Sequence, residues 1–133
     1  MPELDHVTGL ATRGDLHRFL ESRRLAIAVV IVDVVGLKAV NERDGFLAGD
    51  AVLRQAAERL RQAATEATIV ARLGGDELVA VFTGPQAVQR ARVTAATIVA
   101  VGVPVMRAAA MEAEPAEMTG SIIERAYAAM RRS

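Results

Sequence analysis

Two short apolar runs on either side of a glycine pair constrain this chain more than any other stretch. Residues 68–71 (Thr-Ile-Val-Ala) come before Gly74 and Gly75, and residues 78–82 (Leu-Val-Ala-Val-Phe) follow them. Such β-branched runs around a Gly-Gly turn predict an antiparallel hairpin, because both glycines can adopt a positive φ without a steric penalty. We therefore expect a β-hairpin over this part of the chain.

The same turn carries two acids that a hairpin does not require. Asp76 and Glu77 directly follow the glycines and would project their carboxylates from a tight corner, which suits a divalent cation. An acidic pair at a glycine turn is more often only structural, since short motifs match by chance. The cation hypothesis therefore depends on whether other acids reach the same corner.

Another acid interrupts the longest apolar run of the sequence. Residues 25–34 are apolar except for Asp33, and a continuously apolar run predicts a strand that is buried on both faces. An acid at the end of a strand can simply cap the helical turn that follows. If Asp33 and Asp76 lie together, however, they repel each other unless a proton or a cation intervenes, and Mg²⁺ prefers oxygen ligands.

The remaining pattern predicts helices around these strands. A loop is expected through Gly45 and Gly49, and the small residues of 105–113 predict a further strand. Helical spacing of apolar residues predicts helices around residues 16–20, 36–42, 50–63, 85–100 and 119–132. This order predicts an α+β fold: one domain over residues 1–133, with a central antiparallel-containing sheet of the split βαβ type flanked by helices.

Composition excludes several classes of protein. The formal net charge of the 133 residues is zero, so no basic field attracts nucleic acid or an anionic membrane. Cysteine is absent, which excludes disulfides, thiolate zinc sites and cysteine nucleophiles. The longest apolar run is too short to span a bilayer, and acids near the N-terminus do not fit a signal peptide. We expect no nucleic-acid partner, no membrane association and a cytoplasmic location.

Four polar or flexible positions are candidates for binding a nucleotide. Gly36 begins a helical turn whose free N–H groups can bind an anion, and Lys38 can add positive charge there. Asn41 and Asp50 can present an amide and a carboxylate to a guanine, whose N1–H and N2–H₂ groups are donors. The alternatives are a plain turn, a solvated lysine and helix caps, since Asp50 occupies a helix N-cap position.

Four segments, in the correct order and spacing, resemble the GGDEF domain of diguanylate cyclases. The resemblance covers nearly the whole sequence, and the combination is far more specific than any one segment. Residues 5–13 resemble D-x-L-T-G-L-x-N-R, 33–42 resemble D-x-D-x-F-K-x-I-N-D, 45–50 resemble G-H-x-x-G-D, and 74–78 are the signature with Leu78 for Phe.

The resemblance implies an activity and a set of roles. The family condenses two GTP molecules into cyclic di-GMP and releases two pyrophosphates, with each subunit of a homodimer holding one GTP. Asp33, Asp76 and the Val34 backbone carbonyl would bind Mg²⁺ or Mn²⁺, with Asp76 near the attacking hydroxyl and Glu77 supporting it. Asn41 and Asp50 would recognise guanine, and the backbone at Gly36 and Leu37 would hold phosphates. The implied substrate-binding residues are Gly36, Leu37, Lys38, Asn41, Asp50, Gly74 and Gly75.

Departures from the family pattern leave the activity open. Val35 replaces the second acid of its segment, and Phe46 replaces a histidine. The lysine of the family's final helix is not matched, although an arginine at 131–132 can take its place without being equivalent. The family's inhibitory R-x-x-D motif would fall at Thr65 and Thr68, so feedback by that route should be absent.

The sequence thus predicts a diguanylate cyclase that is weak without a dimerising partner, or a degenerate domain that binds GTP or a protein without catalysis. A base other than guanine is a third possibility, which a comparison of GTP with ATP separates.

Overall fold

A four-stranded antiparallel sheet with helices on both faces forms the fold in a computed structural model, which describes residues 3–132. The spatial strand order is β2-β3-β1-β4, and each neighbouring pair is antiparallel. The predicted α+β class is confirmed. The strands are β1 (Ile27–Val34), β2 (Ile69–Arg72), β3 (Glu77–Phe82) and β4 (Met106–Ala113). The helices are α1 (Arg13–Ser22), α2 (Leu37–Asp44), α3 (Phe46–Ala63), α4 (Ala87–Val101) and α5 (Thr119–Arg132).

Strand β1 is the centre of the sheet and is buried along its whole length. Its side chains alternate between two cores, as the period of a strand requires. Val30 and Val32 pack with α3 and α4 on one face, whereas Val29 and Ile31 pack with α1 and α5 on the other. Burying each such side chain contributes about 1.5–3 kcal/mol. The prediction of a strand covered on both faces is confirmed, although it begins two residues later, at Ile27.

Helix α3 begins at Phe46, so the predicted loop through Gly45 and Gly49 is wrong. Gly45, at a φ of 89°, separates α2 from α3, and Gly49 is a buried residue inside α3. A Cβ on Gly49 would lie 1.6 Å from Oδ1 of Asn41. Glycine is therefore present at this position for the close approach of Asn41, and not to break the helix. Asp50 lies within the helix, so its predicted N-cap role is also wrong.

The predicted hairpin is present, but its glycines act differently from the expectation. Strands β2 and β3 pair in the register Arg72 with Leu78. Positive φ values occur at other glycines of residues 3–132, and not at Gly74 or Gly75. A Cβ on Gly74 would lie 2.0 Å from Oε1 of Glu77. A side chain at position 74 would therefore displace the Glu77 carboxylate.

The later helices agree closely with the sequence prediction. Helix α4 begins at Ala87, because Pro85 belongs to the turn before it, and it ends at Gly102, whose φ of 80° is left-handed. Helix α5 begins and ends as predicted and buries Ile122, Ala126 and Met130. No helix within residues 3–132 has both the length and the apolar character needed to cross a membrane.

Glu117 fixes the loop between β4 and α5. Its carboxylate accepts hydrogen bonds from Arg125 at 2.6 and 2.7 Å and from Ser121 Oγ at 2.7 Å. The hydrogen bond from Arg125 is the main reason why the pKa of Glu117 falls from 4.5 to about 2. Because the folded value lies below the unfolded value, the stabilisation is complete above pH 4.5 and is lost as the pH falls towards 2.

We expect Glu117→Gln to lower the free energy of unfolding at pH 7 and to have a much smaller effect at pH 2.5. Glutamine has no charge and cannot form the charge-assisted hydrogen bonds with Arg125. The wild type loses the same bonds when Glu117 is protonated. Urea unfolding at both pH values measures the difference, and Glu124→Gln on the exposed side of α5 is the matched control. An equal effect of Glu117→Gln at the two pH values would contradict this role.

Candidate active site

Three carboxylates meet at one end of the sheet. The antiparallel register places Asp33 opposite Glu77, and the N–H of Val34 donates to the Asp76 carbonyl at 2.9 Å. The Asp76 carboxyl is near enough to Asp33 and Glu77 for both to change its pKa. The two acids that lie far apart in sequence are therefore close together in the fold. We call Asp33, Asp76 and Glu77 the acid corner.

Negative charge is crowded at Asp76. Burial is the largest cause that raises the pKa of its carboxyl, and the neighbouring Glu77 raises this pKa further. Contact with Asp33 acts in the opposite direction, but the net pKa of Asp76 is raised. A bound cation would relieve this repulsion, since an opposite charge favours the ionised form.

Asp33 has a cationic partner that the sequence did not predict. Arg107 on β4 is its register partner and donates Nη2–H to Oδ2 of Asp33 at 2.5 Å. The Asp33 side chain is 11% exposed and that of Arg107 is 51% exposed. Arg107 is the first charged residue after Arg92, in a stretch of small apolar residues. A single charged residue in an apolar stretch suggests a specific partner, but the sequence did not indicate that the partner is Asp33.

Glu77 also has a partner from a distant element. The hydroxyl of Tyr127 on α5 donates to Oε1 of Glu77 at 2.9 Å. Burial is the main cause, with Glu77 contributing, that raises the pKa of Tyr127 to about 12. Tyr127 therefore remains a neutral donor at any pH near neutrality. Arg131 lies one helical turn later and lines the same surface depression as Tyr127.

The acid corner supplies donors that fit a magnesium ion. Within residues 3–132, no three His, Cys, Asp or Glu side chains form a ready-made metal site. Mg²⁺ is often held by only one or two carboxylates, with water and substrate phosphates completing its shell. Asp33 and Asp76 provide two carboxylates, and a cation would favour the ionised form of Asp76, whose pKa is raised by burial and by the neighbouring Glu77. The Val34 carbonyl remains a predicted ligand.

A cleft of about 320 Å³ opens beside the acid corner between α2, α3 and the glycine turn. It brings together three stretches that are separate in sequence. Its lining within the described residues does not include Asp33, Gly36, Gly74 or Glu77. The lining residues are Leu37, Lys38, Asn41, Phe46, Gly49, Asp50, Leu53, Arg72, Gly75 and Asp76.

The phosphate-binding candidates lie at the start of α2. Gly36 precedes this helix with a φ of 79°, and the helix has no side-chain cap at its N-terminus. Lys38 is 91% exposed and lies 4.0 Å from Glu42, so its ammonium is not fixed at the cleft. These residues can approach an anion, and their phosphate contacts stay predictions.

Arg72 fixes the glycine turn to the N-terminal segment. Its guanidinium donates to the carbonyls of Gly74 at 3.2 Å and Gly75 at 2.9 Å. The same group contacts the Asp5 carboxylate at 3.2 Å. Asp5 in turn accepts hydrogen bonds from the N–H and the hydroxyl of Thr8, each at 2.8 Å. The segment that resembles D-x-L-T-G-L is thereby connected to the turn that carries Asp76.

We expect Arg72→Ala to lower the free energy of unfolding by about 1.5–3 kcal/mol, since hydrogen bonds to a charged group contribute on that order. Amide hydrogen exchange at residues 74–76 should also become faster. Arg54→Ala, on the exposed side of α3, removes the same charge without touching the turn. If the two variants lose the same stability and keep the same exchange rates, Arg72 does not fix the turn.

Comparison with known proteins identifies the family. The family model described as "Diguanylate cyclase, GGDEF domain" matches residues 3–131. Diguanylate cyclase TpbB of Pseudomonas aeruginosa is 41% identical over 90 residues, which are 62% of this chain and 20% of TpbB. An uncharacterized signaling protein of Caulobacter vibrioides is 38% identical over 88 residues, 61% of this chain and 11% of that protein. The chain thus spans a fifth or less of the length of these relatives.

Solved structures show the same fold. The GGDEF domain of DgcB from Caulobacter crescentus, crystallised with c-di-GMP, has a TM-score of 0.80 at 24% identity and covers 98% of this chain and 86% of its own. A mutant of TpbB from Pseudomonas aeruginosa, which comprises only the GGDEF domain, has a TM-score of 0.69 at 27% identity. That match covers 98% of this chain and 90% of the TpbB chain. By sequence and by fold, this chain belongs to the GGDEF domain family of diguanylate cyclases.

Proposed function

We propose that this chain is a catalytic domain that condenses two GTP molecules into cyclic di-GMP. One observation carries the proposal: a single cleft is lined by Asp76 of the acid corner and by Asn41 and Asp50, the candidate guanine ligands. Membership of the family supports the same reaction at the family level. The arrangement joins a site for the base to a site for the reacting phosphate.

Guanine is the base that suits this cleft. Gly49 has no side chain, so Asn41 can lie against α3 one residue from Asp50. The Asp50 carboxylate accepts from the N1–H and N2–H₂ of guanine, whereas the adenine edge offers an acceptor at N1. Asp50 is half-buried, and a site that leaves such a carboxylate unpaired disfavours the wrong base. GTP should therefore be used in preference to ATP.

The acid corner would hold the divalent cation. Asp33, Asp76 and the Val34 carbonyl are its proposed ligands, and Mg²⁺ or Mn²⁺ would lower the pKa of the attacking hydroxyl and offset phosphate charge. Asp76 links the corner to the cleft, and Glu77 supports it through the Tyr127 hydrogen bond. The backbone at residues 36–37, Lys38 and the turn at residues 74–75 would bind the phosphates. The arginines at 131–132 are the proposed replacement for the family's lysine.

The reaction requires two copies of the chain that face each other. In each half-reaction, a bond forms between the 3′-oxygen of one GTP and the α-phosphorus of the other. The bond from that phosphorus to the β-phosphate oxygen breaks, pyrophosphate leaves, and the hydroxyl proton passes to solvent. Each copy holds one GTP, so we propose a homodimer as the active form. A cytoplasmic location, where GTP is available, is part of this proposal.

A binding domain without catalysis is the second candidate function. Val35 and Phe46 are 44% and 77% exposed where the family pattern has an acid and a histidine. Arg107 also occupies one oxygen of Asp33. These features favour a domain that retains GTP or binds a protein partner without turnover.

The two candidates differ in product formation. Purified protein is incubated with GTP and Mg²⁺ or Mn²⁺, with Asp33→Ala as the control, and nucleotides are separated by anion-exchange chromatography. We expect cyclic di-GMP with two pyrophosphates per product, specific activity that rises with protein concentration, and no product from ATP. GTP binding without cyclic di-GMP at high protein concentration would contradict the enzyme and support the binding domain.

A further inference from the structure

The ion pair between Asp33 and Arg107 joins a proposed metal ligand to a cation of the same chain. The antiparallel register of β1 and β4 places the two residues directly opposite each other. Their side chains therefore meet without any rearrangement of the backbone, and Nη2 of Arg107 lies 2.5 Å from Oδ2 of Asp33. This contact is built into the sheet.

The two partners differ in their freedom to leave the pair. Asp33 is buried in the central strand, whereas about half of the Arg107 side chain is exposed. An arginine has a long, flexible stem, so its guanidinium can move into solvent while its backbone stays in β4. A cation that arrives at Asp33 can thus displace the guanidinium without disturbing the sheet.

Among the residues near Arg107, Asp33 is the carboxylate that is available for an ion pair. Glu77, on the other side of Asp33, already accepts the Tyr127 hydroxyl. Val35, where the family pattern has a second acid, has no charge. Arg107 contacts Oδ2 of Asp33, and a metal ion bound to the same carboxylate would repel the nearby guanidinium, so each cation weakens the binding of the other.

We propose that Arg107 is a resident counter-ion of Asp33 that competes with the divalent cation and weakens its binding. This inference rests on the proposed function only in taking Asp33 as a metal ligand. In the metal-free protein Arg107 pairs with Asp33, and in the metal-bound protein it turns outward.

A metal titration without nucleotide tests this competition. Free Mn²⁺ is measured by electron paramagnetic resonance as it is added to wild type, Arg107→Gln and Arg107→Lys. Arg107→Gln should bind Mn²⁺ about twofold to fivefold more tightly, since a partly exposed ion pair contributes on that order. Arg107→Lys keeps the positive charge, so its affinity for Mn²⁺ should stay closer to that of the wild type. Arg92→Gln, an exposed residue of α4, is the charge-matched control and should equal wild type.

Magnetic resonance supplies an independent readout. The Nε–H resonance of Arg107 should shift when Mg²⁺ is added to wild type and should not respond in Asp33→Asn. The inference is overturned if Arg107→Gln binds Mn²⁺ no more tightly than wild type, or if neither protein binds it. Failure of the proposed function has a different signature: no protein makes cyclic di-GMP, whereas Arg107→Gln still tightens Mn²⁺ binding.

Discussion

Replacing Asp76 with asparagine is expected to lower cyclic di-GMP synthesis at least about a hundredfold, a loss typical of removing one group that stabilises developing charge. Asp76 is the one residue of the acid corner that also lines the cleft. Asparagine has almost the same shape but cannot supply the second carboxylate for the cation. The turn should keep its structure, because Arg72 holds it through backbone carbonyls. Product formation at saturating GTP and Mg²⁺ measures the effect.

The same variant should not be destabilised near neutral pH. Burial and the neighbouring Glu77 raise the pKa of Asp76 above 3.8, so the folded protein binds this proton more tightly than the unfolded chain. Wild-type stability therefore falls as the pH rises from below 3.8 through the raised pKa of Asp76 in the folded protein. Asp76→Asn has no proton to lose there and lacks that decrease. Asp44→Asn, at the exposed end of α2, is the control. Activity within tenfold of wild type, or a marked loss of stability at pH 7, would contradict the role given to Asp76.

Replacing Gly49 with alanine is expected to weaken GTP binding about tenfold or more while the fold remains stable. The new Cβ would lie 1.6 Å from Oδ1 of Asn41, so the Asn41 side chain must turn away from α3. This movement removes one proposed guanine contact, and a tenfold change corresponds to about 1.4 kcal/mol. Alanine also favours the helix over glycine by about 1 kcal/mol, which offsets the cost of moving one flexible side chain.

Matched variants separate this effect from a general change in a helix. Gly120→Ala on α5 introduces a Cβ with no atom within 4 Å and should leave GTP affinity unchanged. Asn41→Ala should weaken binding by a similar factor, and the double variant should be no weaker than Asn41→Ala alone, because both changes remove the same contact. Isothermal titration with a non-hydrolysable GTP analogue provides the affinities. Wild-type affinity in Gly49→Ala would exclude Asn41 as a guanine ligand.

Local patterns in the sequence were sufficient for most of the fold. The continuous apolar run predicted β1, because a strand covered on both faces has no polar side to alternate with. The hairpin could be predicted from its β-branched runs, and α5 from the helical spacing of its apolar residues. Both signals lie within a few residues of one another in the sequence. The acids of the corner could be expected to meet only because Asp33 ends one strand and Asp76 precedes another.

The sequence predictions were wrong or incomplete where a residue's role depends on contacts with residues far away in the sequence. Gly49 resembled a helix breaker, but its function is to admit Asn41 from the preceding helix. The pairs Arg107–Asp33 and Tyr127–Glu77 join residues 74 and 50 positions apart, and strand register or helix docking brings them together. No local pattern encodes such a pairing, so the counter-ion of Asp33 could be found only in the structure.

A crystal structure of the chain with Mn²⁺ and a GTP analogue that resists attack at the α-phosphate would show whether the acid corner and the cleft hold one cation and one guanine nucleotide together. We expect an anomalous manganese peak between the carboxylates of Asp33 and Asp76, with the guanine edge against Asn41 and Asp50. Arg107 should then lie away from Asp33. A nucleotide bound elsewhere, or a manganese peak remote from both acids, would exclude this site as the place of the reaction.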